Sequence, residues 1–474
     1  MGRRMRGLWL AGAFGLLLLL TELFLVRAEQ HASLPIAVLP EQAKMTAAKW
    51  LGDVRMTVRQ EENLDVSRYL HQQGLTDQLR ATLATDMPLL VWKVTSRDAE
   101  ASINRQSGRI EGLRGITIAQ GEELRTRRAD AVREILEQTF GQKSLVLTSI
   151  DEQERGRALL TFHTSFSVDS LTDRVEAEVV DDRLVAFTHR LQAPLPTDRT
   201  SSPIAETVQR WAGWFQLAVL ILPLVGMWRL MRGDGGARRW YGELALSGAV
   251  AIAFWLKGLS ADYLLQGVVY GAIVFGVLAI VKESKWPADN KRQSARSLHD
   301  QILAGYCIFG VLTGCSVLFS WGADLLGAWS SDLQAQEAVA LAPLPFLLPL
   351  IAAGTAAVYE ELVYRKLGDL WLSRLFKPGA VVALLCSLIW STAHLQYGVW
   401  PWYLRIIELG LIIGPLLFFL YRRYGLVAVI TGHFLYNACL ISLAVTSAFG
   451  NGWSFVWLAA PLLLLCWKRK GPLA

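Results

Sequence analysis

The feature that most constrains this chain is a succession of apolar runs that fills its second half. Most of residues 206–474 comes in stretches of about 17–25 residues, the length an α-helix needs to cross a bilayer. Nine such runs lie near 211–230, 241–257, 264–281, 302–322, 343–372, 379–397, 402–421, 426–446 and 453–467. A tenth, Leu8–Val26, follows Arg3, Arg4 and Arg6 at the start. Its length and the lack of a clear A-x-A site predict an uncleaved signal anchor rather than a removed leader. Residues between this run and the others are mixed and highly charged, so 53% hydrophobic content over 474 residues reflects two kinds of sequence.

Charge fixes the expected topology. Basic residues cluster in alternate connections: Arg229, Arg232, Arg238 and Arg239; Lys282, Lys285, Lys291, Arg292 and Arg296; Lys366, Arg374 and Lys377; Arg422 and Arg423; then Lys468, Arg469 and Lys470. In the opposite connections Lys257 stands nearly alone, and 323–340 carries Asp324, Asp332 and Glu337 without Lys or Arg. The positive-inside rule then puts both termini in the cytoplasm. The fold class is an α-helical polytopic membrane protein of about ten transmembrane helices with an inserted extracytoplasmic α+β domain. The expected location is a bacterial inner or plasma membrane. The net charge of +6 sits beside the apolar runs as a topology signal, so the expected partners are lipid and a membrane-associated protein or peptide, not nucleic acid. All five cysteines lie in apolar runs and read as small buried hydrophobes, with no disulfide framework.

The chain divides into a first helix (1–27), an extracytoplasmic domain (28–205), membrane helices (206–340), a membrane core (341–467) and a tail (468–474). The polar region reads as two copies of one plan, 41–115 and 122–193. In each, a helix (Lys44–Asp53; Arg128–Phe140) precedes a β-rich run (Leu89–Thr95; Ala158–Val168) and a hairpin turning at Ser107-Gly108 or Asp181-Asp182. The first hairpin, SINRQSGRIEG, resembles the small PepSY-type fold. His163 and His189 read as isolated strand residues with surface or core roles. A linker carrying Pro194, Pro196, Ser201, Ser202 and Pro203 leads into the membrane half.

Within that half, Thr355–Arg365 reads TAAVYEELVYR, with Glu360, Glu361 and Arg365 inside an apolar run. A charge at the bilayer centre costs about 2.5–3.5 kcal/mol on insertion scales, so such residues mark function or strict pairing. His394 (in LIWSTAHLQY), and Thr431, His433 and Asn437 (in VITGHFLYNA), lie in later runs. Four-residue spacing puts Glu361 with Arg365, Trp390 with His394, and His433 with Asn437 on shared helix faces. At 1.5 Å rise per residue, Glu360 lies roughly 18–24 Å from the cytoplasmic turn, His394 roughly 22 Å, His433 roughly 12 Å and Asn437 roughly 18 Å. Such agreement in depth is what one site requires. Intramembrane polar pairs average only about 0.6 kcal/mol, a weak return for so many charges if their role were cohesion alone. A carboxylate in a low-dielectric pocket is a general base for water, and imidazole and amide groups orient that water or donate to an oxyanion. A proton or ion pathway uses similar residues, but spaced along a pore rather than converging.

These motifs resemble the CPBP family of intramembrane proteases, which contains the CAAX prenyl endopeptidases and the bacteriocin-immunity (Abi) relatives. EELVYR is similar to E-E-x-x-x-R, WSTAH to an aromatic residue four before His, with Trp390 where Phe is usual, and HFLYN to H-x-x-x-N/D. The resemblance covers about 340–447. It implies an endopeptidase in which Glu360 activates water, His394 holds it, His433 and Asn437 stabilise the oxyanion, and Glu361 with Arg365 forms a supporting pair. Two cofactor readings stay open: a divalent metal such as zinc on Glu360, His394 and His433, and a metal-free glutamate mechanism. The alternatives to a protease are a non-proteolytic scaffold or immunity protein, and a regulatory module whose extracytoplasmic domain senses a ligand.

Overall fold

A computed structural model describes the chain outside residues 1–2, 23–35, 53–55, 73–83, 86, 141–144, 154–155, 169–170, 284–296, 331–332, 396–398 and 466–474, and outside most of 194–239. The run at 211–230, the basic connections at 229–239 and 285–296, the Pro/Ser linker, Cys466 and the basic tail therefore lie outside the described residues. The chain separates into two compact units, Gln30–Arg199 and a second formed by Met1–Glu29 with Thr200–Ala474.

The first helix, α1 (Arg3–Thr21), belongs to the second unit. Gln30–Arg199 is built on one antiparallel sheet of eight strands in the order β1-β2-β3-β4-β8-β7-β6-β5. Helix α2 (Pro40–Leu51) leads into β1 (Thr57–Glu62), α3 (Leu64–Gln72), β2 (Leu90–Ser96), β3 (Ala99–Asn104) and β4 (Ile110–Gln120). Helix α4 (Arg128–Phe140) leads into β5 (Val146–Gln153), β6 (Arg157–Val168), β7 (Leu171–Val180) and β8 (Arg183–Gln192). Each half supplies a helix and four neighbouring strands, with α3 set between β1 and β2 in the first, and the halves join where β4 pairs with β8, Leu113 opposite Phe187. The predicted hairpins are β3–β4 and β7–β8. At Asp181 and Asp182 both φ values are positive, 47° and 59°, the twist that a two-residue hairpin turn needs. Burial alternates along β7, with Leu171, Val175, Ala177 and Val179 inside. Helix α4 buries Ala131, Val132, Leu136 and Phe140, and the Phe140 ring meets Phe187 at 4.5 Å. The strands β1 and β5 were not foreseen, because TVRQEE and VLTSIDEQ carry too few apolar residues to announce a strand.

In the second unit, Ala261–Lys282, Leu298–Asp324, Pro345–Leu375, Tyr403–Tyr424 and Leu426–Phe449 are long and apolar enough to cross a membrane. Shorter apolar helices cover Met5–Thr21, Gly379–Thr392 and Trp453–Leu463. After α1, the α-helices of this unit include, in chain order, α5 (Tyr241–Gly258), α6 (Ala261–Glu283), α7 (Leu298–Asp324), α8 (Leu348–Glu360), α9 (Gly368–Leu375), α10 (Gly379–Thr392), α11 (Gly414–Tyr424) and α12 (Leu426–Phe449). Two π-helical segments interrupt them: Glu361–Leu367 between α8 and α9, and Ile406–Ile413 before α11.

Helix α7 is the hub. Against α1 it packs backbone on backbone: a Cβ at Gly15 would fall 1.8 Å from the Gly310 carbonyl oxygen. Against α12 a Cβ at Gly432 would fall 2.5 Å from Ile308 Cγ2 and 3.1 Å from the Gly305 carbonyl oxygen. Small residues at such seams let helices approach closely enough for dispersion to hold them where lipid offers no hydrophobic driving force. One apolar cluster runs through Leu8, Ile308, Leu362, Trp390, Tyr421 and Val429, so the segments bearing the polar motifs share a core.

Candidate active site

The three polar motifs sit on α8 with its π segment, on α10 and on α12. Glu360 is the last residue of α8, and Glu361 opens the π-helical segment. A π turn widens the helix by one residue, and such bulges concentrate at functional sites. Here the two adjacent acids face different surroundings. The Glu361 side chain is completely buried, and its carboxylate accepts a hydrogen bond from His433 Nδ1 at 2.8 Å while lying 3.3 Å from Arg365 Nε. Glu360 retains 16% of its side-chain exposure and accepts from the Trp390 indole Nε1 at 2.5 Å.

The hydrogen-bond partners assign the imidazole nitrogens. A backbone carbonyl can only accept, and Trp390 O lies 3.0 Å from His394 Nδ1, so that nitrogen carries the hydrogen. An ionised Glu361 likewise takes its hydrogen from His433 Nδ1. In the neutral rings both Nε2 atoms are left with lone pairs, and both face one atom, Glu360 Oε2, His394 at 4.0 Å and His433 at 3.9 Å. These separations are too long for direct hydrogen bonds and suit groups that share a small polar molecule.

Arg365 is buried, and its guanidinium lies 4.2 Å from the centroid of the Trp390 ring. Its terminal nitrogens make no hydrogen bond among the described residues, so the aromatic face and Glu361 are what hold the charge. Asn437 is half-buried one turn along α12 from His433, with no side-chain hydrogen bond among the described residues. Thr431 is buried on the same helix. The structure thus brings Glu360, Glu361, Arg365, His394 and His433 together, and Asn437 shares the helix face of His433.

A zinc site needs ligand atoms about 2.0–2.2 Å from the ion, hence roughly 3.4 Å from one another in a tetrahedral set. The Glu360 oxygen and the imidazole nitrogens stand wider apart than this, and that oxygen already accepts the indole N–H. Among the described residues no trio of His, Cys, Asp or Glu is gathered closely enough to hold a metal ion. This arrangement therefore does not fit a resident zinc.

Residues 342–439 match the family described as Type II CAAX prenyl endopeptidase Rce1-like. This segment is a domain of the CPBP/CAAX protease family. It spans about a fifth of the chain and contains Glu360, Glu361, Arg365, Trp390, His394, His433 and Asn437. No curated protein and no solved structure gives a significant match.

Other polar groups close around the CPBP domain went unnoticed in the sequence. Glu408, in the second π segment, accepts from Arg405 at 2.6 Å and from Ser316 on α7 at 3.3 Å, and Tyr436 on α12 donates to Ser316 at 2.9 Å. The signal was an acid three residues after an arginine in the run 402–421. Asp369 on α9 takes Arg422 of α11 in an ion pair that also includes Ser373.

In Gln30–Arg199, His189 is not an isolated strand residue. Its Nδ1 meets Glu111 at 2.6 Å and its Nε2 meets Asp173 at 2.5 Å, with all three side chains buried. Burial alone would lower the basicity of His189, but hydrogen bonds and charge from Asp173 and Glu111 outweigh it and push its pKa up to about 9. Burial likewise opposes ionisation of Glu111, yet the His189 hydrogen bond and charge, joined by Arg109, hold its carboxyl below the ordinary value. This cluster ties β4 to β7 and β8, and its depth marks it as structural. His163 is half-buried on β6.

Proposed function

We propose that the protein is an intramembrane endopeptidase that hydrolyses a peptide bond of a membrane-associated substrate with water activated by Glu360. The observation that carries this reading is the meeting of two imidazole Nε2 atoms on Glu360 Oε2, at 3.9 and 4.0 Å, beside a fully buried Glu361–Arg365 pair. The division of labour follows from burial: an acid that exchanges protons with substrate must be reachable, and Glu360 is the reachable one.

In this reading a water molecule between Glu360 and His394 loses its proton to the Glu360 carboxylate as its oxygen attacks the scissile carbonyl. Glu361 accepts from His433 Nδ1 and fixes the ring beside the developing oxyanion, to which the Asn437 amide, one turn away on the same face, donates an N–H. Glu360 then returns the proton to the leaving amine. The ligand separations support the metal-free form of the reaction.

The proposal extends to ten spans, both termini in the cytoplasm, and a PepSY-like sensor or regulatory role for the eight-stranded unit. Purified protein in liposomes provides the test: Glu360→Gln abolishes cleavage of a substrate that wild type cuts, at unchanged folding. Retained cleavage refutes the assignment.

A further inference from the structure

Trp390 touches Glu360, His394 and Arg365, and faces the His433 ring at 6.0 Å between centroids. Its indole N–H reaches Glu360 Oε2 at 2.5 Å, its carbonyl holds His394 Nδ1 at 3.0 Å, and its ring face carries the Arg365 guanidinium at 4.2 Å. The side chain is 3% exposed. A buried indole needs an acceptor for its N–H, whereas an aromatic ring of the same size without that N–H would fill the slot and keep the aromatic face. Packing therefore accounts for the ring and not for the N–H. The donor also lands on a particular atom: of the two Glu360 oxygens it engages the one that both imidazoles face.

We propose that the Trp390 indole N–H is a positioning group for Glu360, fixing the rotation of its carboxylate so that Oε2 stays directed at His394 and His433. This rests on Glu360 being the water-activating base. A carboxylate at the end of an acidic side chain otherwise turns about its last bonds, and each turn takes the proton-accepting lone pair away from the water it must meet. A charge-assisted hydrogen bond to one oxygen removes that freedom before the substrate binds. The same ring, face-on, keeps Arg365 with Glu361 and leaves Glu360 to a neutral donor.

The test separates the N–H from the ring. Trp390 is replaced in the full chain by benzothienylalanine, which puts sulfur in place of the N–H at nearly unchanged size and shape. The protein is reconstituted in liposomes with a membrane polypeptide that wild type cuts. The expected result is a fall in kcat of about tenfold or more with KM within about twofold, the signature of a group that acts on the reacting base rather than on substrate binding. Trp390→Phe should fall at least as far. An unchanged kcat with benzothienylalanine overturns the proposal, and a loss confined to Trp390→Phe assigns the residue to packing alone and overturns it too. If Glu360→Gln itself still cleaves, the protease reading fails first, which separates that failure from a failure of the indole's role.

Discussion

Replacing His189 by Gln removes the pH dependence that this imidazole gives the eight-stranded unit between about pH 6.5 and 9. In the wild type, His189 lies between Glu111 and Asp173, whose side chains are at most 1% exposed. Its pKa is raised from an ordinary value of about 6.5 to about 9, so its stabilising contribution is complete below about pH 6.5 and lost as pH climbs through 9. That difference corresponds to about 3 kcal/mol at neutral pH. Glu111, held low, contributes above about pH 4.5 and loses that contribution as pH falls through its depressed value. The cluster therefore stabilises most between about pH 4.5 and 6.5. Gln at 189 fills much of the space but brings no charge, so Asp173 loses the imidazolium while Glu111 keeps Arg109, at a cost of about 3 kcal/mol at pH 7. The deficit is therefore largest below about pH 6.5 and shrinks as pH climbs through 9, where the wild-type imidazole gives up its proton. Hydrogen exchange of the β4 and β8 amides in the full chain, read from about pH 6 to 9, measures it as the free energy of local opening. A deficit below about 1 kcal/mol, or one that does not change with pH, would refute the charged imidazole.

Further consequences concern the membrane unit. Gly432→Ala forces a Cβ against Ile308 and the Gly305 backbone at the seam that sets His433, and should cost about 1–3 kcal/mol of thermal stability together with cleavage; Gly242→Ala, with nothing within 4 Å, should do neither. Arg365→Lys keeps the charge but loses the planar contact with Trp390, and cleavage should drop about tenfold or more where a simple charge requirement predicts no change. Chelation of divalent metals in purified protein should leave cleavage unchanged, with elemental analysis showing no stoichiometric zinc; loss of activity restored by zinc would reverse the metal-free reading.

The separation of polar and apolar halves was legible because spanning helices and charged α+β sequence differ over tens of residues. Convergence of the motifs was legible too, since counting rise from two turns placed Glu360 and His394 at one depth. Four-residue spacing already put Glu361 with Arg365, but it did not show the π turn at 361–367 or the His433 contact to Glu361, which no residue pattern announces. Nor did it show His189 with Glu111 and Asp173, which lie on strands far apart in the chain and meet only through the β4–β8 pairing. Glu408 was passed over because a single acid in an apolar run has no spacing partner on another span until the helices are packed.

The central claim is that Glu360, and not its neighbour, reacts. Membrane-protein fragments compared between cells carrying wild type and cells carrying Glu360→Gln at matched abundance decide it most directly. The account predicts products present with wild type and absent with the variant, because Gln still accepts the Trp390 N–H but cannot take a proton from water. The same fragments from both cells would contradict it.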